Sequence, residues 1–294
     1  MRLATLRTDS QRADGQRTDG NGTTAALALG GDRYLPLPAA DAGALLAVDG
    51  WRALVQEAVA ADAAAPQSAV VEVPQSGLAP LLPAAGKVIC CGLNYGDHIQ
   101  EMGRELPAYP TLFAKYADTL TGPADTIEVQ GSERVDWEAE LAVVVGAELF
   151  RADEEEARRG IAGFTVANDV SMRDWQNRTL QWFQGKAFDA TTPLGPVMLT
   201  ADEAEDDFEV RGYVNGELVQ RGNTATLVFG PARLLSYISQ FTVLRPGDLV
   251  LTGTPGGVGM GMVPPRFLQD GDVITTEIDG IGRLENLIRI NTKE

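Results

Sequence analysis

The sequence predicts an α+β fold: a mixed β-sandwich or β-roll catalytic domain with a small N-terminal α/β appendage. Three observations carry this expectation. Short strand-like runs separated by turn residues fill the chain from about residue 87 onward, helical periodicity is confined to a few stretches, and the two kinds of element do not alternate as a parallel βαβ sheet requires. A chain of 294 residues is also long enough to bury a substantial core.

Residues 1–80 read as the small N-terminal domain and residues 81–294 as the catalytic domain. The first part is rich in alanine, with strand-like runs RLATL, TAALALG and RYLPL around the polar stretch TDSQRADGQRTDGNG, then a helix expected over residues 51–61. After the proline-interrupted SGLAPLLPAAGK come the strands KVICCGL, TIEVQ, WEAELAVVVG, IAGFTVANDV, PVMLT, FEVRGYVNG, DLVLTGTP and DVITTEIDGIG. Asp153 is placed to cap a helix over EEEARRG, with acids in its first turn and arginines in its last, as the helix dipole favours. A second helix is expected over residues 226–240 from an apolar stripe at helical spacing. Cys90 and Cys91 are adjacent, so they supply neither a disulfide framework nor zinc-site spacing and read as small apolar strand residues.

Composition excludes several function classes. With 24 Lys plus Arg against 41 Asp plus Glu, the formal charge of -17 disfavours nucleic acid and anionic membranes as partners. No apolar run approaches the roughly 20 residues of a membrane span, and the opening lacks the apolar core of a signal peptide, so a cytoplasmic location is expected. His98 is the only histidine. A multi-histidine metal site is thereby excluded, and any imidazole chemistry falls to that residue.

The run DWEAELAVVVG carries three carboxylates where a buried strand is otherwise expected. In an extended chain Asp136, Glu138 and Glu140 share one face, with Glu138 and Glu140 about 6.5 to 7 Å apart at Cα. Their repulsion grows as water is removed, so the face is either wet or holds a cation. Asp169, at the end of the next strand-like run after the capped helix, adds a third oxygen donor, and such a set suits Mg²⁺ or Mn²⁺. The alternative is a solvated acidic face. In GLNYGDHIQEMG, His98 and Glu101 stand three residues apart, the spacing of a general-base dyad or of a surface histidine near an acid. Arg173, Gln176 and Lys186 follow Asp169 and are either substrate or oxyanion contacts or solvated polar groups. The glycine-rich TGTPGGVGMGM follows a strand but leads into Val-Pro-Pro, which rejects a dinucleotide fingerprint.

Taken in order, GLNY with His98 and Glu101, PTLFAKY, DWEAEL, NDVSMRD, QGKAFD, PLGPV, GDLVLTGTPGGVG and LQDGDVITTEIDGIGRLEN resemble the fumarylacetoacetate hydrolase family over residues 88–290. The resemblance implies one divalent cation per subunit, Mg²⁺ or Mn²⁺, held by Glu138, Glu140 and Asp169. It also implies a water-activating dyad of His98 and Glu101, Lys186 beside the substrate's oxo groups, Thr254 on its carboxylate, and usually a homodimer. Arg173 and Gln176 align with substrate-contact positions of larger members. The segment before His98, however, is of the short type that lacks those members' extra acidic ligand. Asp136 matches no family ligand and is expected to be structural.

The expected function is hydrolysis of a C–C bond in a small 2,4-dioxo acid, of acylpyruvate or fumarylpyruvate type as met in aromatic degradation, giving pyruvate or a similar 2-oxo acid and a second acid. The alternative is an oxaloacetate-type decarboxylase, or a carboxymethyl-hydroxymuconate isomerase/decarboxylase, acting through the same enolate. A ligand-binding protein that has lost catalysis is disfavoured by the presence of all three ligand positions, the dyad and the lysine. The segment DWQNRTLQWF is expected to cover the site when substrate binds.

Overall fold

The structure, a computed structural model, describes residues 1–8, 22–64, 69–96, 99 and 105–291. Its centre is a strand, AELAVVV, that is apolar apart from Glu140. This strand, β10 (Ala139–Val145), is buried at every position, the pattern of a strand covered on both faces. Alternate side chains enter different cores. Ala142 and Val144 pack with Leu45, Val55 and Leu81 from the N-terminal region. Val143 and Val145 pack on the opposite face with Leu234, Leu235 and Ile238, while Ala139 and Leu141 meet Val210, Ile278 and Leu284.

Chain order gives β1 (Arg2–Arg7), β2 (Thr23–Gly30), β3 (Arg33–Pro36), the helices α1 (Ala42–Leu46) and α2 (Trp51–Ala64), β4 (Val71–Glu72), β5 (Val88–Gly92), β6 (Thr111–Lys115), β7 (Leu120–Thr121), β8 (Ile127–Gln130) and β9 (Val135–Asp136) before β10. After it come α3 (Glu154–Arg159), β11 (Ile161–Asn168), β12 (Ser171–Met172), the short helices α4 (Arg173–Gln176) and α5 (Phe183–Lys186), β13 (Thr192–Thr200), β14 (Glu209–Val214), β15 (Glu217–Asn223), α6 (Pro231–Ser239), β16 (Leu249–Leu251), β17 (Val273–Ile278) and β18 (Gly282–Asn291). The larger sheet runs β4-β3-β2-β1-β13-β11-β10-β16-β5-β6, with β7 beside β13. The smaller runs β15-β14-β17-β18-β8, and β9 pairs with β12. The N-terminal strands join the larger sheet through β1, whose Arg2 and Leu3 pair with Leu199 and Met198 of β13.

Local signals explain most boundaries. The Asp153 side chain accepts from Glu156 N at 2.8 Å while Glu156 Oε2 accepts from Asp153 N at 3.0 Å, a closed capping box. The helix expected over residues 226–240 is shorter. It begins at Pro231, because proline fixes the first helical turn and holds Gly230 extended, and residues 224–226 form a separate 3₁₀ turn. Strands β6, β15 and β18 are not among the strand runs expected from the sequence. The hairpin joining β14 to β15 turns on Asn215 and Gly216, both at positive φ, the backbone that Asn-Gly turns adopt. Among the described residues no helix is long and apolar enough to cross a membrane.

Cys90 and Cys91 lie on β5 with side chains in two different cores. Burial, reinforced by Glu140, pushes the Cys91 thiol up to about 12. Neither thiol should react with Ellman's reagent at pH 8 while the protein is folded, and fast labelling would contradict this packing. A raised thiol pKa favours the folded state only while the unfolded chain also keeps its proton. Stability should therefore fall as pH rises from the ordinary thiol value, about 8.5, toward the native one.

Candidate metal centre and active site

The carboxylates meet where β10 begins. Asp169 follows β11, and its N–H donates to Glu138 O at 2.9 Å, while Glu138 N donates to Asn168 Oδ1 at 3.0 Å. The strand pair thus sets the third acid beside the first two. One carboxylate oxygen from each of Glu138, Glu140 and Asp169 lies within 4.8 Å of the others. Glu140 and Asp169 are 1% and 0% exposed.

Three buried cations surround these acids. Lys186, at the end of α5, donates to Glu138 Oε2 at 2.8 Å and to Asp169 Oδ2 at 2.7 Å. Lys115, at the end of β6, pairs with Asp169 Oδ1 in a bond closed to solvent on both sides. Arg173 bonds Asp136 Oδ2 through Nε at 2.8 Å. Its Nη2 lies 2.7 Å from Glu138 Oε1, close enough for an ion pair though without an aligned hydrogen bond. Glu140 has no such partner: among the described residues its carboxylate accepts only the Gly253 N–H, at 2.7 Å.

The protonation equilibria follow from this arrangement. Burial, then the charges of Asp169 and Glu138, hold the Glu140 carboxyl well above the usual range. Burial pushes Asp169 the same way, but Lys115 and Lys186 outweigh it and hold its pKa below normal. Burial opposes the charge on Lys186, and Asp169 with Glu138 overcomes it, leaving the ammonium more firmly protonated than usual. Four acids, counting Asp136 and with only Glu138 half-buried, face three buried cations. A divalent cation at the Glu138–Glu140–Asp169 oxygens would supply the missing positive charge, and an all-oxygen donor set suits Mg²⁺ or Mn²⁺. The residues fit the ion.

The other residues singled out from sequence take definite places. Asp136 faces away from the triad: Oδ1 accepts from Trp137 N at 2.9 Å and Gly259 N at 2.7 Å, and Oδ2 accepts from Met260 N at 3.0 Å. It ties the glycine-rich loop to β9. Arg173 and Gln176 are buried behind Glu138, with Gln176 Oε1 accepting from Arg173 Nη1 at 2.9 Å. The Thr254 hydroxyl donates to Ala139 O at 2.9 Å. His98 and Glu101 lie outside the described residues. The segment expected to cover the site docks at the ends of β5 and β6, where Trp182 meets Phe113 edge-on at 5.7 Å. A Cβ on Gly92 would come within 2.4 Å of the Trp182 ring, so that position excludes a side chain. Lys115 is the participant that sequence reasoning missed.

Glu140→Gln should weaken Mn²⁺ binding at least about 100-fold, because it removes a ligand, and should leave the thermal stability of the metal-free protein close to wild type, because a neutral amide replaces a carboxyl that burial already holds in its protonated form. Calorimetric titration and thermal unfolding without metal check the two halves. Mn²⁺ binding should release protons and tighten as pH rises, since Glu140 must give up its proton to become a ligand. Titrations in buffers of different ionisation enthalpy read that release directly.

Comparison with known proteins agrees with this geometry. The family model described as fumarylacetoacetate (FAA) hydrolase C-terminal matches residues 87–289. A protein of Xenopus laevis named a mitochondrial oxaloacetate tautomerase is 46% identical over 205 residues, covering 68% of this chain and 64% of its own length. The match therefore spans just under two thirds of that relative. The solved fumarylacetoacetate hydrolase of Exiguobacterium antarcticum superposes with a TM-score of 0.80 at 30% identity, over 99% of this chain and 100% of the other. Fumarylpyruvate hydrolase of Pseudomonas aeruginosa, solved in complex with Mn²⁺ and pyruvate, gives a TM-score of 0.63 at 32% identity over 70% and 91% of the two chains. With its motifs in order, its sheets superposable and its model match covering most of its length, the chain belongs to the fumarylacetoacetate hydrolase family.

Proposed function

We propose that this enzyme interconverts the keto and enol forms of oxaloacetate or a closely similar 2-oxo dicarboxylic acid, with one Mg²⁺ or Mn²⁺ held by Glu138, Glu140 and Asp169. The observation that carries the reading is the buried, cation-less carboxylate of Glu140 beside a lysine ammonium. A metal bound there would hold the carboxylate and 2-oxo oxygens of the acid and take up the charge that develops on them. The name of the Xenopus relative favours oxaloacetate over the dioxo acids first expected, and so supports the alternative drawn from sequence.

The chain's own groups supply the proton chemistry. Lys186 Nζ has three N–H donors, of which two are engaged by Glu138 and Asp169. The third is free to donate to the 2-oxo oxygen and stabilise negative charge there. The ammonium lies 5.1 Å from the Phe113 ring centroid, an aromatic wall that limits water around it. Arg173 holds Glu138 from behind and keeps its orientation. The carbon-bound proton at C3 is assigned to His98, the only imidazole in the chain.

A second reading, hydrolysis of an acylpyruvate, is favoured by the likeness to the fumarylpyruvate hydrolase. It uses the same residues, with His98 taking a proton from water instead of carbon. Following enol and keto oxaloacetate by ultraviolet absorbance, with pyruvate and CO₂ assayed separately, distinguishes the two. The Mn²⁺-loaded enzyme should speed equilibration of the two forms without releasing pyruvate or CO₂. His98→Ala should slow that step roughly 10²- to 10⁴-fold, and Lys186→Met should slow it too. Stoichiometric pyruvate from acetylpyruvate, with no effect on oxaloacetate, would establish the hydrolase instead.

A further inference from the structure

The carboxylates Glu138 and Glu140 flank Ala139, whose peptide groups lie where the sheet stops supporting β10. Strand β16 pairs with β10 only over Ala142–Val144. One residue closer to the site, Thr252 continues the ladder: its N–H and its hydroxyl both donate to Leu141 O, at 3.0 and 2.9 Å. Alternate residues of a strand direct their N–H and C=O to the same side. Ala139 therefore faces the same way as Leu141, past the point where backbone partners end.

Two side chains fill that gap. Ala139 N donates to Gln220 Oε1 at 2.9 Å, and Ala139 O accepts from Thr254 Oγ1 at 2.9 Å. The two are joined to each other, since Gln220 Nε2 donates to Thr254 Oγ1 at 2.7 Å and to Pro255 O at 2.9 Å. Gln220 is 1% exposed and comes from β15 of the smaller sheet, 81 residues from Ala139 in sequence. It packs tightly: a Cβ on the facing Gly212 would come 3.0 Å from Gln220 Oε1.

We propose that Gln220 and Thr254 form a side-chain clip that stands in for a missing neighbouring strand and sets the spacing of Glu138 and Glu140. Gln220, which meets none of the three carboxylates, is then a positioning residue for the metal centre. Buried peptide groups without partners are costly, so a released Ala139 would shift to find new ones. Any rotation about Ala139 moves one glutamate relative to the other. A metal site tolerates only about 0.2 Å of drift in its ligand distances, so the effect should appear in affinity. The smaller sheet thereby supports a site whose acids all belong to the larger sheet and its connections.

The proposal rests on the metal reading above and is tested without substrate, by calorimetric titration of the whole protein with Mn²⁺. Gln220→Leu and Thr254→Val should each raise the Kd about 10- to 100-fold, whereas Thr254→Ser, which keeps the hydroxyl, should stay within about threefold of wild type. Asn286→Leu is the control for general loss of stability. Asn286 is equally buried and bonds Gly122 O and Asp125 O at 3.1 and 2.8 Å, away from the carboxylates. It should lower the melting temperature and leave the Kd unchanged. A folded Gln220→Leu or Thr254→Val with wild-type affinity would overturn the clip, as would an equal loss in Asn286→Leu. If Gln220→Leu does not fold, the contrast between Thr254→Val and Thr254→Ser decides. Wild-type affinity in Glu140→Ala would instead remove the metal centre itself, a separate failure.

Discussion

A carboxylate that is nearly shut off from water, with two other acids beside it and no cation of its own, is the constraint around which this protein is arranged. Glu140 receives one backbone N–H, while Arg173, Lys186 and Lys115 neutralise its neighbours. Ionising a carboxylate held in this way is costly, so its proton stays on until a cation takes its place. Much of the surrounding architecture is intelligible as the means of keeping that carboxylate in place until a cation arrives. Such a site is not the most stable solution for the chain; it is one in which binding the ion relieves a cost already built into the fold.

The sheets divide the task. The larger one supplies the acids: β10 presents Glu140, the residue before it presents Glu138, and the turn after β11 returns Asp169 against Glu138. Cations arrive from elements that cover the strand ends, Lys115 from β6, Arg173 from α4 and Lys186 from α5. The glycine-rich loop after β16 closes another side, tied down through the amides that Asp136 accepts and through Trp137 Nε1, which donates to Gly257 O at 3.1 Å. Positive φ at Gly253 and Gly257 and close packing at Gly259 explain those three glycines. At Gly257 a Cβ would lie 1.9 Å from Val219 O, so no other residue fits without moving the neighbouring strand. The loop's glycines let it approach neighbouring backbone closely.

The acids were legible because a period of two in an otherwise apolar run has few physical explanations. Asp169 was legible from its place after a strand, and Asp136 was separated from the ligands by the family pattern, which its bonds to Gly259 and Met260 explain. Lys115 was not legible: a lysine beside an exposed tyrosine at a strand end reads as surface charge, and only the fold turns it onto Asp169. Gln220 was hidden for the same reason. It sits in β15, where mostly exposed positions give no apolar alternation, and its partner is supplied by a different sheet. Arg173 and Gln176, aligned with substrate-contact positions of larger members, lie buried behind Glu138, where a guanidinium fork holds two acids at once. The cost of the shortened α6 was small, since Pro231 was visible in the sequence and simply outweighed the apolar stripe before it.

Crystals of the protein soaked in MnCl₂ and measured near the manganese absorption edge test the central claim most directly, because the anomalous signal locates the ion without reference to activity. The account requires one strong peak with an oxygen of Glu138, of Glu140 and of Asp169 each at about 2.1 Å, and at least one lysine ammonium displaced from Asp169. A well-diffracting soaked crystal with manganese bound elsewhere, and with Lys115 and Lys186 still on Asp169, would contradict it.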